Sequence, residues 1–193
     1  MFLGYGLYLC AMKDRYPGYS ILYNDIKDYP GINLKMDCRN ITREYFDKAG
    51  FIIATPPCNY YSKANFRRET SKVAQDTKIL LPWCLSLCSM LNLPCIIENV
   101  NNDNLLPTLY DKYFYRFKFG GHTFWTNVYL YINDLVAVKQ NKQNVCREKR
   151  DGNPNVHMVI ERFLKIIHSE NFFMMKVKHC CLDGHFDFQS VYE

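Results

Sequence analysis

Three short apolar runs, separated by segments with helical spacing, constrain the fold of this chain more than any other feature. They occupy residues 21–23, 51–54 and 94–97 of the 193-residue sequence. Each run is too short for a stable helix and is bounded by polar residues or proline, which is typical of buried strands. Strands that alternate with helices in this way predict an α/β domain with a largely parallel sheet and helices on both faces.

A reactive side chain follows each of these three runs. Asp25 lies just after the first, Cys58 just after the second and Glu98 directly after the third. Because ligands of open α/β sheets bind outside the carboxyl ends of the strands, we expect these side chains to share one rim. The pattern therefore predicts a binding or catalytic site at that rim.

The rest of the sequence predicts a single domain over residues 1–193. Apolar residues at helical spacing predict a helix around residues 80–91, with a kink or restart at Pro82, and an amphipathic helix over residues 158–167. Residues 103–115 suggest a loop and a helix, and residues 124–138 suggest strand. Residues 140–154 are polar and basic and predict an exposed loop, and residues 169–193 form a C-terminal extension.

Composition limits the functional class. Hydrophobic residues make up 48% of the chain and aromatic residues 16%, which argues against disorder. The net charge of +5 favours polyanionic partners only modestly. Nine cysteines occur without a pairing rhythm, and the apolar residues at the start lack a basic leader. We therefore expect an intracellular protein, in the cytoplasm, nucleoid or nucleus.

One uncharged stretch, residues 79–97, is nearly long enough to cross a bilayer. Pro82, Pro94 and several polar side chains interrupt it, and Glu98 follows at once. A helix followed by a short buried strand accounts for the stretch better. We therefore expect no membrane partner.

The segment Thr55-Pro56-Pro57-Cys58 carries the candidate nucleophile. Two prolines fix the backbone before the cysteine, and a thiol on such a turn is nucleophilic when a neighbouring group favours the thiolate. An ordinary cysteine beside a turn is the alternative interpretation. Glu98 favours the interpretation of Cys58 as a nucleophile. A carboxylate at the end of a buried apolar run is costly unless it has a function or a charged or hydrogen-bonded partner.

Together these segments resemble the DNA (cytosine-5) methyltransferase family. The family's nucleophile motif, Pro-Cys with a serine four residues later, stands here as Pro57-Cys58 and Ser62. Its acidic motif, Glu-Asn-Val, stands as Glu98-Asn99-Val100. Upstream residues resemble the family's glycine loop and its two acidic cofactor motifs: Phe2, Gly4 and Gly6, then Asp25 and Ile26, then Asp37 and Cys38.

The resemblance implies a Rossmann-like fold that binds S-adenosyl-L-methionine and methylates C5 of cytosine in DNA. Cys58 would attack C6 of the base while Glu98 binds its N3 and amino edge, with Pro57 and Asn99 as further catalytic-site residues. A base within a duplex has to be flipped out for such chemistry. Asp25 would bind the ribose, Ile26 the adenine ring and Asp37 the adenine amino group. The implied cofactor site is completed by Phe2, Gly4, Gly6, Cys38 and Pro56.

Basic residues after the nucleophile are candidates for phosphate contacts. A solvated loop and helix face would show the same residues, so both interpretations stay open. The candidate nucleic-acid contacts are Ser62, Lys63, Arg67, Arg68 and Lys72. A second basic cluster lies within residues 139–150.

The sequence departs from the family pattern in several places. The strand expected before the glycine loop is absent or truncated. The arginines that contact the flipped base are not evident, unless Arg116 replaces them. The last family motif is matched only vaguely, by Gly152-Asn153. No length remains for a full target-recognition domain, so we expect base readout from the 140–154 loop, from a separate partner, or hardly at all.

Two alternatives to a DNA methyltransferase therefore stay open. The chain is a degenerate relative that binds nucleic acid without catalysis, or a methyltransferase that acts on RNA or a free nucleotide. We expect no metal, because the spacing of His179, Cys180, Cys181 and His185 is not a usual zinc pattern.

Overall fold

The computed structural model describes residues 2–4, 18, 20–28, 31–91, 93–137 and 153–169. Its strands are β1 (Phe2–Gly4), β2 (Tyr23–Asp25), β3 (Leu34–Lys35), β4 (Ile52–Thr55), β5 (Cys95–Val100), β6 (Tyr115–Phe119) and β7 (His122–Thr126). Its α-helices are α1 (Arg43–Asp47), α2 (Lys72–Lys78), α3 (Leu80–Met90) and α4 (Pro154–Ile167). Two short 3-10 helices cover Cys38–Asn40 and Leu109–Lys112.

The strands form one sheet in the order β3-β2-β1-β4-β5-β7-β6. The strands from β3 to β5 are parallel to their neighbours, whereas β7 is antiparallel to both β5 and β6. The α/β class predicted from the sequence is confirmed, but the sheet is mixed. The antiparallel part arises because β6 and β7 form a hairpin. Its two connecting residues, Gly120 and Gly121, have φ of 57° and 84°, the positive values that tight hairpin turns require.

Helices cover both faces of the sheet. Successive strand residues point to opposite faces, so Ile52 and Ile97 belong to one buried cluster and Ile53 and Ile96 to another. The first cluster contains the buried residues of α3, and the second contains the apolar buried residues of α4. Burying a side chain of this size contributes about 1.5–3 kcal/mol. The two clusters therefore hold the sheet between α3 and α4.

The predicted helix around residues 80–91 is α3, which restarts directly after α2. Pro82 is its third residue, a position where a backbone N–H has no partner within the helix, so proline is tolerated there. Residues 103–115 contain only the 3-10 helix Leu109–Lys112 and the start of β6. The amphipathic helix expected at residues 158–167 begins earlier, at Pro154.

Several strand assignments differ from the sequence prediction, and β3 was not predicted. Residues 124–138 are strand only up to Thr126, and β6 was not predicted. The segment Phe2–Gly4, assigned to the glycine loop, is strand β1 and pairs with both β2 and β4. Glu98 lies within β5 and not just beyond it, because this strand continues to Val100.

Within the part of the chain that the structure describes, no helix is both long and apolar enough to cross a membrane. The uncharged residues 79–97 are divided between α3 and β5. Most of the predicted loop over residues 140–154, and nearly all of the C-terminal extension, lie outside the described residues. Of that loop, Asn153 caps α4 and Pro154 begins it.

Candidate functional site

The two sequence motifs meet at the carboxyl ends of β4 and β5. Strand β4 ends at Thr55, and the chain continues through the two prolines to Cys58. The buried side chain of Asn99, from β5, donates its Nδ2 to the carbonyl oxygen of Pro56 at 3.0 Å. Pro56 is buried, and a buried backbone carbonyl is costly unless it accepts a hydrogen bond. The hydrogen bond fixes the nucleophile turn against the acidic motif.

Hydrogen bonds within the following loop hold Cys58 in place. The backbone N–H of Ser62 donates to the carbonyl of Cys58 at 2.8 Å, which closes a turn around the thiol. Asn65 Nδ2 donates to the carbonyl of Asn59 at 2.7 Å, and Asn102 Nδ2 donates to that of Tyr61 at 2.8 Å. The candidate nucleophile, Cys58, therefore lies on a loop that is ordered by hydrogen bonds.

Glu98 faces a histidine that the sequence analysis did not assign to the site. The Oε1 atom of Glu98 lies 2.5 Å from Nδ1 of His122, the first residue of β7. Both side chains are largely buried, with 13% and 17% of their surfaces exposed. The Nε2 atom of His122 lies 2.8 Å from Nδ2 of Asn153. A hydrogen-bonded chain thus runs from α4 through β7 to the acid.

Burial raises the pKa of the Cys58 thiol above its usual range, and the negative charge of Glu98 raises it further. Both effects disfavour the thiolate, because burial penalises charge and a nearby carboxylate repels it. Cys58 and Glu98 are therefore close enough to interact electrostatically. In the free protein, the thiol is held mainly in its protonated, unreactive form.

A cavity of about 370 Å³ lies beside this turn, a volume within the range of small-molecule sites. Five of the eight predicted cofactor residues line it: Asp25, Ile26, Asp37, Cys38 and Pro56. Pro57 and Asn59, on either side of the nucleophile, line it as well. The cavity therefore joins the ends of β2 and β4 to the loop that carries Cys58.

The far wall of the cavity was missed by the sequence analysis. It consists of Val73, Asp76 and Thr77 from α2, with Leu80 from the start of α3. Their spacing of three, four and seven residues from Val73 places them on one face of a helix, and this was the available signal. Ile26 and Val73 are 65% and 60% exposed although both are apolar. A bound ligand would cover such side chains and remove them from water.

Three aspartates line the cavity, and two of them, Asp25 and Asp37, are held by hydrogen bonds. Asp25 Oδ1 accepts a hydrogen bond from the backbone N–H of Lys27 at 2.8 Å, which fixes the carboxylate at the end of β2. Arg39 binds Asp37 through Nε at 2.9 Å and through a second nitrogen at 2.5 Å. This pairing holds the pKa of Asp37 below its usual range. Burial raises the pKa of Cys38 to about 12, so this thiol stays neutral.

The predicted nucleic-acid residues do not all present free charges. Lys63, Arg67 and Lys72 are exposed. Arg68 instead donates to the carbonyls of Ser62 and Asn65, at 3.0 and 3.2 Å. These bonds tie Arg68 to the shape of the nucleophile loop. Phe66, which the sequence analysis passed over, is 94% exposed in the same loop.

Arg116, the candidate for a base-contacting arginine, does not lie on the same face of the sheet as Glu98. It pairs across the sheet with Trp125, which in turn pairs with Ile97, the neighbour of Glu98. Successive residues point to opposite faces, so Arg116 lies on the face away from Glu98. Its guanidinium is bound by Asp103 and Asp111 at 3.3 and 3.0 Å and stacks on Trp125.

Some predicted site residues are placed only in part. Phe2 and Gly4 lie in β1, between the strands that carry Asp25 and the nucleophile turn. Gly6 and the zinc candidates near residues 179–185 lie outside the described residues. Among the residues that are described, no cluster of three or more histidine, cysteine or acidic side chains could hold a metal.

Comparison of the chain with protein-family models, with curated proteins and with solved structures gave no significant match.

Proposed function

We propose that this chain is a Rossmann-like methyltransferase that transfers a methyl group from S-adenosyl-L-methionine to C5 of cytosine in DNA. The observation that carries the proposal is the bond from Asn99 to Pro56, which joins the nucleophile and acidic motifs beside a cavity. Five residues assigned to the cofactor line this cavity, together with Pro57 from the nucleophile motif. Parallel pairing alone brings the strand ends to one rim, so the specific support is the hydrogen bond that links the two motifs directly.

The sheet topology supports a cofactor site at this place. Strands β2 and β3 follow β1 on one side of it in the sheet, whereas β4 and β5 lie on its other side, so the strand order reverses between β1 and β4. Open α/β sheets bind ligands in the crevice at such a reversal, beyond the carboxyl ends of the strands. Asp25 ends β2 and Pro56 follows β4, so the cavity lies at this reversal.

The cavity suits a nucleoside with a small polar extension. Asp25 offers a carboxylate to the ribose hydroxyl groups, and the exposed apolar surface of Ile26 offers a packing face for adenine. Each carboxylate oxygen has two lone pairs, so Asp37 retains acceptor capacity for the adenine amino group while it binds Arg39. When bound, the cofactor supplies an electrophilic methyl group.

The thiol and the carboxylate divide the chemistry between them. The Cys58 thiol first loses its proton to water, and the thiolate then forms a bond to C6 of the cytosine. The electron pair of the C5–C6 double bond shifts toward C4 and N3, which makes C5 nucleophilic. Glu98 binds the N3 and amino edge of the base and stabilises the charge that develops there. After C5 has gained the methyl group, loss of its proton to a base restores the double bond and expels the Cys58 thiolate. Cys58 therefore ends the cycle unchanged.

The DNA would lie against the loop that follows the nucleophile. Lys63, Arg67 and Lys72 are exposed cations on this loop and the start of α2, suited to phosphate contacts. Arg68 orders the loop through its carbonyls. Phosphate contacts carry no direct sequence information, so we infer broad modification, or a separate partner that supplies specificity.

A trapping experiment tests the proposed reaction. A duplex containing 5-fluorocytosine should form a covalent adduct with Cys58 in the presence of cofactor, because fluorine at C5 cannot leave as a proton. Denaturing electrophoresis and peptide mass spectrometry detect and locate this adduct. Cys58→Ser should abolish it. Cys88→Ala, which changes a buried cysteine of α3, is the matched control and should retain it.

Substrate choice separates the proposal from its alternatives. Labelled cofactor should transfer its methyl group to DNA more readily than to RNA or to dCMP. Preference for RNA or dCMP would assign the chain to the other methyltransferase class. Binding of DNA without any transfer would identify a non-catalytic relative.

A further inference from the structure

The acid of the proposed site is held by a side chain from the β6–β7 hairpin. In the β5–β7 pairing, Glu98 is opposite Phe124 and His122 is opposite Val100. Residues directly opposite each other share a face, so Glu98 and His122 are diagonal neighbours on one face of the sheet. This is the face that α4 covers, and the cap of that helix is Asn153.

The amide of Asn153 has a fixed orientation. Its Oδ1 atom accepts the backbone N–H of Asn155 at 2.9 Å, which is the capping bond of α4. The remaining Nδ2 atom therefore faces Nε2 of His122, at 2.8 Å. An amide nitrogen only donates, so Nε2 of His122 has to accept. Nε2 is then unprotonated, and the ring proton is on Nδ1.

That proton determines how the ring meets Glu98. Nδ1–H donates to Oε1 of the carboxylate, 2.5 Å away. Among the described residues, the other oxygen, Oε2, has no hydrogen-bond partner. The helix cap thus selects one histidine tautomer, and that tautomer anchors one oxygen of the acid while leaving the second available.

The hairpin turn holds the hydrogen-bonded series of Asn153, His122 and Glu98 in position. A Cβ at Gly120 would lie 2.3 Å from Cβ of Asn155, so the turn packs directly against the first residues of α4. The backbone N–H of Asn101 also donates to the carbonyl of Gly121 at 3.0 Å. These contacts of Gly120 and Gly121, directly before His122, fix its distance from the acid and from the cap.

We propose that His122 is the positioning residue of Glu98, held as the neutral Nδ1–H tautomer by Asn153, so that Oε2 faces the amino edge of the base. The inference rests on the proposed function for its catalytic consequence. His122 itself acts through Glu98 and does not contact the base. It occupies the part of the chain where the resemblance would supply arginines.

Three variants separate positioning from mere packing. His122→Phe keeps a ring but removes the donor, and kcat on DNA should fall about tenfold or more, as when partners that orient a site residue are lost elsewhere. KM for the cofactor should stay unchanged, because His122 does not line the cavity. His122→Asn places an amide nitrogen where Nδ1 stood and should recover most of the kcat. Asn153→Asp keeps the capping oxygen but presents an acceptor to Nε2.

Nitrogen NMR of the histidine ring gives a readout that does not depend on activity. In the parent protein, His122 should show a proton on Nδ1 alone. In Asn153→Asp it should show protons on both nitrogens, since Nε2 then faces an acceptor. A parent spectrum with the proton on Nε2, or with both nitrogens protonated, would overturn the proposal. So would full kcat in a folded His122→Phe variant.

The two proposals fail in different ways. If the parent protein transfers no methyl group to any substrate, the proposed function fails, and the ring spectrum of the parent and of Asn153→Asp still decides the tautomer. If transfer occurs but His122→Asn recovers nothing beyond His122→Phe, the ring contributes by packing, and the positioning role is wrong.

Discussion

In the free protein, the negative charge of Glu98 disfavours the thiolate form of Cys58. The carboxylate raises the pKa of the thiol, in addition to the larger effect of burial. A thiol in this state is protected from adventitious alkylation and oxidation, since the thiolate is the reactive form. If Glu98 binds a base as proposed, hydrogen bonds from the base would offset part of the negative charge that acts on the thiol. Under that proposal the thiolate would become easier to form, so the reactivity of Cys58 would be coupled to the presence of the base.

This coupling predicts the effect of Glu98→Gln on the free protein. Removing the negative charge should lower the pKa of Cys58, although burial keeps it above the usual range. The thiolate then appears at lower pH, so iodoacetamide should alkylate Cys58 faster in the variant at any fixed pH below the parent pKa. In both proteins the rate should rise as pH increases. Peptide mass spectrometry at a series of pH values measures the rate for Cys58 alone.

Glu69→Gln is the matched control for this measurement. Glu69 lies in the same loop, where it accepts a hydrogen bond from Tyr60, but its charge is not among the causes of the shifted Cys58 pKa. Its variant should react like the parent protein. Equal rates for Glu98→Gln and the parent would show that the two groups do not interact.

At the scale of the elements, the sequence could predict those strands that end in reactive residues. Apolar runs bounded by polar residues or prolines located β2, β4 and β5 to within a few residues, because burial on both faces leaves no periodicity to misinterpret. The convergence of Asp25, Cys58 and Glu98 followed from parallel pairing. Five of the residues that the sequence assigned to the cofactor line one cavity.

The hairpin escaped prediction because its first strand, β6, is only half covered, although β7 is mostly buried. β6 has mostly intermediate exposure and carries alternating aromatic and basic residues, so no continuous apolar run identifies it. The adjacent glycines 120 and 121 were the available signal, since paired glycines between alternating segments are typical of tight hairpins. Without the hairpin, the face on which Arg116 lies and the contact of His122 with Glu98 could not be derived.

Glycine substitutions test how tightly this hairpin docks. Gly120→Ala should lower the free energy of unfolding by more than about 1–2 kcal/mol, since it adds a left-handed backbone penalty to a clash with Asn155. Gly121 also has a positive φ, but a Cβ there would meet no other atom, so Gly121→Ala should show only the penalty for the left-handed backbone. Gly50→Ala has neither problem and should change little. Urea denaturation of the three variants measures the differences.

The order of the three values is the test. If Gly120→Ala and Gly121→Ala are equally destabilised, the hairpin does not pack against α4 as closely as the structure shows. Gly120→Ala should also change the ring spectrum of His122, because the turn sets the position of that residue relative to Asn153.

At the scale of the whole molecule, the cavity is formed by segments far apart in the sequence. Its walls come from the end of β2, the Asp37-to-Arg39 turn, the nucleophile turn after β4, and α2 with the start of α3. No single segment contains the site, so a ligand that bridges these walls binds the folded chain and not the unfolded one. Binding must therefore appear as global stability.

Asp25→Asn tests this linkage with S-adenosyl-L-methionine as the probe. At about 100 times its Kd, a ligand stabilises the folded state by about 2.7 kcal/mol. For a domain of this size, that corresponds to a rise in Tm of roughly 5–11 °C. The amide keeps the shape of Asp25 and the acceptor for the Lys27 N–H, but removes the negative charge that the proposal assigns to ribose binding. Affinity should fall about tenfold or more, which reduces the rise in Tm at the same ligand concentration.

Asp28→Asn is the control for this last prediction, because this substitution removes the same charge three residues further along the chain. Its carboxylate is 74% exposed, pairs with Lys35 and does not line the cavity. Thermal scans with and without the cofactor, checked by titration calorimetry, should give the parent and Asp28→Asn the same rise in Tm. An equal rise in Asp25→Asn would remove this acid from the site. No rise in the parent protein would show that the cavity does not take this cofactor.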